Sequence, residues 1–141
     1  PRLPGVINAW YTDSSLKEGL PLMAALMNEI KVEVNRLNAR LVVVVIPSPF
    51  NVYPETYNPI LKESFPDDPR IDAFIADLDR PQREVMNICT RIQVDCVDML
   101  PVFKKDPNTS YFIPREGHLN DAGHAELART LAAKLGADPV H

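Results

Sequence analysis

Two side chains capable of acid–base chemistry lie two positions apart near the carboxyl end of the chain. Glu116 precedes His118, with Gly117 between them, and Asn120 follows at a position where it can cap a helix. A carboxylate this close to an imidazole can fix the ring's tautomer and stabilise its charged form, as acid–base catalysis on an ester requires. The alternative is a loop that carries a surface histidine and a carboxylate favoured by a helix N-terminus. The surrounding pattern favours the catalytic interpretation.

A second candidate residue, Ser48, follows an apolar run that is typical of a strand. It therefore lies at the carboxyl edge of the predicted sheet, where α/β proteins hold ligands, and it could contact substrate or act as a substitute nucleophile. Pro47 and Pro49 flank it, and the chain has no Gly-x-Ser-x-Gly motif. A turn serine is the favoured interpretation.

No metal or cofactor site is predicted. His124 lies six positions after His118, in the first turn of the last predicted helix, and we expect it to pack or to form hydrogen bonds. The histidines lack a metal-ligand spacing such as His-Glu-x-x-His. Five aspartates lack the order of a calcium loop and are interpreted as surface charge: Asp67, Asp68, Asp72, Asp77 and Asp79.

The spacing of apolar residues, together with the residues that typically begin and end helices and strands, predicts helices that alternate with two strands. The chain begins with an irregular segment anchored by Trp10 and Tyr11, and the first helix then runs to about Asn38, starting either from a capping box at Ser15 or at Pro21. The two predicted strands are Leu41–Ile46 and Val94–Val97, and Asp98 ends the second. The remaining elements are a helix from Asp79 to about Ile92, a capped turn over Met99–Lys105 and a helix from Asn120 to Gly136. Residues 47–81 hold seven of the 14 prolines and predict a loop-rich insertion, with a short helix near Pro54–Glu63.

This order predicts an α/β fold with a parallel sheet of only two or three strands. The β-branched run Leu41–Ile46 is typical of a strand buried on both faces, and such a strand needs neighbours. Part of the sheet is therefore expected to be missing or supplied by another copy. A homodimer formed through the incomplete sheet is one possibility.

Composition limits the partners. The 141 residues suit one domain, the net charge is −4, and no Lys/Arg cluster favours nucleic acid. No apolar run reaches transmembrane length, so we expect no membrane contact by this segment. The chain starts at Pro1 without Met, which suggests a piece of something longer. Cys89 and Cys96 are expected to be buried thiols rather than a disulfide or a metal pair.

The segment Tyr111–His124 resembles the last sequence block of the SGNH (GDSL-type) hydrolases. One branch of that family reads roughly Tyr-Phe-Pro-x-Asp-Gly-His-x-Asn-x-x-Gly-His, and this chain matches apart from Ile113 and from Glu116, which stands where the family has Asp. The tracts Asn51–Glu55 and Val97–Pro101 are similar to the same half of bacterial SGNH-like proteins. The resemblance implies that residues 1–141 are the C-terminal portion of one SGNH-like domain, a partial three-layer flavodoxin-like sandwich.

The resemblance also implies a function. His118 would be the general base toward a serine hydroxyl and then the general acid, and Glu116 would orient it. The chain has neither Gly-Asp-Ser nor Gly-x-Asn-Asp, so the nucleophile is expected outside it, and the chain alone is expected to be inactive. The substrate would be a small ester or an acylated carbohydrate. The alternatives are an O-acyltransferase acting on carbohydrate and a non-catalytic binding or assembly module. Export, or anchoring through a missing N-terminal segment, would follow from the resemblance.

Overall fold

The chain divides into two units, Pro1–Leu100 and Pro101–His141. The first unit contains a short parallel sheet and several helices. The structure is a computed structural model that describes residues 13–114 and 116–136. Trp10, Tyr11 and the side chain of Ser15, which carried predictions, lie outside the described residues. The elements are α1 (Asp13–Arg36), β1 (Val42–Val45), α2 (Pro49–Val52), α3 (Pro54–Ser64), α4 (Pro69–Ala76), α5 (Arg80–Ile92), β2 (Asp95–Asp98), α6 (Leu100–Lys104) and α7 (Asp121–Gly136).

The sheet pairs β1 and β2 in parallel, with Val42 opposite Asp95 and Val45 opposite Asp98. The predicted α/β class and the parallel sheet are confirmed, and the sheet has two strands within the described residues. The backbone N–H of Met99 donates to the carbonyl of Val45 at 3.0 Å and extends the pairing by one bond. Asp98 accepts from the backbone N–H of Leu100 at 2.9 Å, so its predicted capping role is confirmed.

The prediction that the first strand is buried on both faces is wrong for the described chain. Val45 is buried, but Val42, Val43 and Val44 are only half-buried. Helix α5 packs against both strands. Two strands with little cover cannot bury a continuous apolar run, because a parallel strand is shielded only where helices lie over both faces of its sheet. Homodimerisation through the sheet edges stays a prediction.

The two cysteines form a disulfide, so the prediction of two free thiols is wrong. Gln93 ends α5 in the left-handed region, at φ 55°, and the backbone N–H of Val94 donates to the carbonyl of Cys89 at 3.0 Å. The chain therefore reverses directly from α5 into β2. This reversal brings the Cα atoms of Cys89 and Cys96 to 6.1 Å, a separation that a disulfide can span.

The proline-rich stretch is helical rather than loop-rich. Pro49, Pro54, Pro69 and Pro81 lie in the first positions of α2, α3, α4 and α5. Proline fits there because the first backbone N–H groups of a helix have no partner within the helix and the fixed φ is already helical. These prolines therefore begin helices instead of breaking them. The short helix predicted near Pro54–Glu63 is confirmed as α3.

Helices α3 and α4 share a small apolar core with residues around them. Leu61, Ile71 and Phe74 are buried together. The ring of Phe50 meets the ring of Phe74 edge-on, with centroids 5.5 Å apart. This packing explains why the insertion holds regular helices despite its prolines.

Helix α1 runs through Pro21 without starting there, since it begins at Asp13. The Nζ of Lys31 donates to the carbonyl of Ile92 at 2.8 Å, which ties α1 to the last turn of α5. Two large apolar side chains of this helix, Leu26 and Ile30, are nevertheless exposed. No helix of residues 13–114 and 116–136 is both long and apolar enough to cross a membrane.

The second unit has an aromatic cluster ahead of α7. Phe103 stacks on Tyr111 with ring centroids 4.6 Å apart and meets Phe112 edge-on at 5.8 Å. All three side chains are buried. The cluster anchors the start of the segment that carries Glu116 and His118.

Candidate functional site

A tight hairpin carries Glu116 and His118. Phe112 and Leu119 form an antiparallel bridge, and the backbone N–H of Ile113 donates to the carbonyl of His118 at 2.7 Å. Gly117 has a φ of +77°, a backbone conformation that costs glycine little and other residues more. The hairpin therefore fixes the backbone of His118, whereas the side chain of His118 extends into solvent.

Asn120 joins the hairpin to helix α7, and its predicted role as the helix cap is confirmed. Its Oδ1 accepts from the backbone N–H of Gly123 at 3.0 Å. Its Nδ2 donates to the carbonyl of Ser110 at 2.8 Å, and its backbone N–H donates to the carbonyl of Tyr111 at 3.0 Å. Asn120 thus caps the helix and holds the segment of Ser110 and Tyr111 that precedes the hairpin.

Gly123 allows α7 to lie directly on the backbone of Tyr111. A Cβ at this position would overlap the Tyr111 carbonyl oxygen and would lie 3.0 Å from Cδ2 of Leu119. Sequence reasoning missed this role. The available signal was a glycine in the first turn of a helix, where it lowers helix propensity unless close packing needs it.

His124 completes the first turn of α7. Its Nδ1 and its backbone N–H both lie 2.9 Å from the carbonyl oxygen of Asn120. Because a carbonyl oxygen only accepts, Nδ1 carries the proton and donates. The predicted hydrogen-bonding role of His124 is confirmed.

His118 and Glu116 stand beside each other in solvent. The distance from Nδ1 of His118 to Oε2 of Glu116 is 3.8 Å, which suits an ion pair with a protonated ring but is too long for a hydrogen bond. The two side chains are 80% and 61% exposed. The structure thus brings the predicted pair together without closing the hydrogen bond that would orient the imidazole.

A shallow depression of about 380 Å³ lies beside the hairpin. It is lined by Ile113, Leu119, Asn120, Asp121, Ala122 and His124. Neither Glu116 nor His118 lines it. A group bound there would rest on the start of α7, next to the residues that flank His118 in the sequence.

Ser48 lies in the first unit, where it precedes α2. Its hydroxyl and its backbone N–H both donate to Oδ1 of Asn51, and Nδ2 of Asn51 donates to the carbonyl of Leu78. This local hydrogen bonding at the N-terminus of α2 agrees with the interpretation of Ser48 as a structural serine, but nothing tests the alternatives. Its hydroxyl hydrogen is already used, with no histidine base among its hydrogen-bond partners in the described residues. Contact between Ser48 and a substrate stays a prediction.

Two carboxyl groups outside the hairpin segment have a lowered pKa. Two hydrogen bonds from the Arg83 guanidinium, at 2.8 and 3.0 Å, lower the pKa of Asp77. The Thr109 hydroxyl, 2.6 Å away, lowers the pKa of Asp106. Both are surface features that stabilise the fold. In the part of the chain that the structure describes, no group of three or more His, Cys, Asp or Glu residues could hold a metal ion.

Comparisons of this chain with models of known protein families, with curated proteins and with solved structures gave no match.

Proposed function

We propose that this chain carries the histidine and the acid of an SGNH-type serine esterase, and that the nucleophilic serine lies outside these residues. One observation carries the proposal. Asn120, Gly123 and His124 hold the hairpin against α7, whereas the side chains of Glu116 and His118 extend into solvent 3.8 Å apart. A segment this well anchored presents two side chains that the fold itself does not use.

The roles follow from the chemistry of ester cleavage. Nε2 of His118 would take the proton of a serine hydroxyl as the serine oxygen attacks the acyl carbonyl. The resulting imidazolium would return that proton to the oxygen of the leaving alcohol, and water would release the acyl group by the same steps. If a sugar hydroxyl replaced water in the second half, the product would be an acylated carbohydrate. Hydrolysis and transfer share the step that forms the acyl-enzyme, and the resemblance to SGNH hydrolases supports that shared step for both.

Glu116 would orient His118 through Nδ1. A charge-assisted hydrogen bond requires about 2.8 Å, so the carboxylate must approach by about 1 Å from its present position. Apo sites often hold such bonds long and shorten them when substrate binds. The longer side chain of glutamate gives it the reach for this movement.

The rest of the fold would then be a partial flavodoxin-like sandwich. Two observations support further layers that would cover this chain in a longer protein. The parallel sheet has only two strands among the described residues, and three apolar side chains of α1 are exposed: Leu22 at 60%, Leu26 at 56% and Ile30 at 52%. The Cys89–Cys96 disulfide supports export, because disulfides persist mainly in oxidising compartments.

A non-catalytic module is the second candidate, and the same pair of residues favours it. At 3.8 Å and with most of its surface in water, the contact between Glu116 and His118 is that of an ordinary surface pair. Such pairs contribute about 0–1 kcal/mol and imply no chemistry. A binding or assembly module would need no closer geometry.

Labelling with a fluorophosphonate distinguishes these proposals. The reagent would be applied to the polypeptide of the full open reading frame and, separately, to residues 1–141, and the labelled serine would be mapped by mass spectrometry. We expect labelling of a serine outside residues 1–141, reduced by His118→Ala, and none in the 141-residue chain. Labelling of Ser48 would contradict the location of the nucleophile. Absence of labelling from both polypeptides would favour the non-catalytic module.

A further inference from the structure

A cavity of about 230 Å³ lies in the first unit, where β1 ends and α5 begins. It is at the carboxyl end of a parallel strand, the place where open α/β sheets commonly bind ligands. Its lining consists of Val45, Ile46, Ser48, Asn51, Pro81, Gln82 and Val85. Neither Glu116 nor His118 lines it, so the ligand of this cavity is a question separate from the proposed esterase activity.

The polar side chains of the lining offer a ligand few hydrogen bonds. The hydroxyl and the backbone N–H of Ser48 both donate to Oδ1 of Asn51, whose Nδ2 donates to the carbonyl of Leu78. Asn51 and Gln82 are only 3% and 5% exposed, and Nε2 of Gln82 is fully buried, so a ligand cannot reach it. A ligand in this cavity therefore binds mainly through apolar contact.

Apolar side chains make up the rest of the lining, namely Val45, Ile46, Pro81 and Val85. None of the seven lining residues has a charged side chain, so an ionic group in the cavity would lose its hydration without gaining a counter-charge. The cavity is partly open to solvent, and Ile46 is 46% exposed. A ligand that covers apolar surface here and keeps its polar end in water meets both conditions.

We propose that this cavity binds the end of an unbranched alkyl chain, with the polar group of the ligand left in solvent at the open side. Apolar cavities of about 150 Å³ bind molecules as large as benzene, so a cavity of about 230 Å³ has room for a longer group. Because a water molecule takes up about 30 Å³ of liquid, this volume suits roughly six to eight carbon atoms.

A series of 1-alkanols from propanol to decanol tests both the chemistry and the length of the ligand. The polypeptide of the full open reading frame would carry ¹³C-labelled valine and isoleucine methyl groups, and ¹³C–¹H correlation spectra would follow each titration. We expect saturable shifts at the methyl groups of Val45, Ile46 and Val85. Burial of each methylene group should raise affinity about three- to fourfold, up to about six to eight carbons and no further.

Substitutions of Val85 should move this length limit in opposite directions. Val85→Ala removes two methyl groups from the lining, so the limit should increase by about one or two carbons. Val85→Phe takes up the space of about two carbons, so it should weaken binding of 1-hexanol about tenfold. Alanine is the best helix former, so Val85→Ala should fold and keep the test decisive if Val85→Phe does not.

Met86→Phe is the matched control for the larger side chain. Met86 is the next residue of α5 and is half-buried, but it does not line the cavity. This variant should bind the 1-alkanols as the original protein does, with the same length limit.

Three results would overturn the proposal. The first is the absence of saturable shifts at the lining methyl groups up to about 30 mM 1-hexanol, well above the millimolar Kd that so small a ligand can reach. This would also be the result if another part of a longer protein filled the cavity. The second is an affinity that rises with every carbon up to decanol, as for non-specific contact with apolar surface. The third is the same length limit in Val85→Ala and the original protein.

Discussion

Replacing Gly123 with alanine tests how helix α7 holds the candidate site. Alanine is favoured over glycine inside a helix by about 1 kcal/mol, so propensity alone predicts stabilisation. Here, however, the added Cβ would overlap the carbonyl oxygen of Tyr111 and press on Leu119. The carbonyl is backbone and cannot rotate away, so the first turn of α7 must move by roughly 1 Å to restore an ordinary contact.

The magnitude follows from these terms. Overpacking costs about 1–3 kcal/mol, and the movement weakens the 3.0 Å bond from Asn120 to Tyr111, worth about 1 kcal/mol. After subtraction of about 1 kcal/mol for helix propensity, the free energy of unfolding should fall by about 1–3 kcal/mol. Because the unfolding entropy is about 2.1 cal/mol/K per residue, a chain of 141 residues should lose roughly 3–10 °C in Tm.

Gly19→Ala is the matched control. Gly19 also lies within a helix, α1, but no atom of the described residues lies within 4 Å of the position of an added Cβ. The same substitution should therefore raise Tm by roughly 2–3 °C. Thermal unfolding followed by circular dichroism compares the two. If Gly123→Ala melts above the original protein, as Gly19→Ala should, α7 does not lie on the backbone of Tyr111 and the reasoning is refuted.

Three further changes test other parts of the fold. In urea unfolding, the free energy of unfolding should fall by about 2 kcal/mol in Asn120→Ala and by about 1 kcal/mol in Asn120→Asp. The loss is smaller in the second variant because aspartate keeps the helix cap but cannot donate to the carbonyl of Ser110. Equal stability of the alanine variant and the original protein would contradict the cap. Cys89→Ser should lose about 2–3 kcal/mol, since the disulfide closes a loop of separation 7, and a reducing agent should lower the stability of the original protein to the same value; insensitivity to reduction would refute the disulfide. Hydrogen bonds from Arg83 lower the folded-state pKa of Asp77, so its stabilising effect is present above about pH 4 and is lost as pH falls through that lowered pKa. The difference in Tm between the original protein and Asp77→Asn should therefore disappear in acid. A difference in Tm that grows as pH falls would contradict a lowered folded-state pKa of Asp77.

The elements with strong periodicity could be predicted from the sequence. The strands, helix α5 and the Asn120 cap of α7 follow from patterns within a few residues, and the structure places each within one or two positions. The proline-rich insertion could not be predicted as helical, because Pro49 and Pro69 look like breakers until the helices that they begin are visible. One residue type has opposite effects at the first and at later positions of a helix.

Features that depend on close approach were less accessible. The Cys89–Cys96 disulfide requires the left-handed turn at Gln93, and nothing in a glutamine indicates that conformation. The Nε2 of Gln82, which is buried without a hydrogen-bond partner among the described residues, likewise becomes visible only when its neighbours are placed. For the candidate site, the proximity of Glu116 and His118 follows from their spacing in the sequence. Their separation of 3.8 Å does not, because it depends on the hairpin and on the rotamers of both side chains.

The central claim is that His118, and not the nearby His124, performs the chemistry. The measurement is kcat/KM for hydrolysis of p-nitrophenyl acetate by the polypeptide of the full open reading frame, with His118→Ala and His124→Ala compared. Because His124 is engaged with the carbonyl of Asn120, its loss should leave kcat/KM within a few-fold of the original value. Loss of His118 should lower it by about 10³-fold or more, as removal of a general base does in serine hydrolases. Equal effects of the two substitutions, or turnover that survives without His118, would contradict the account.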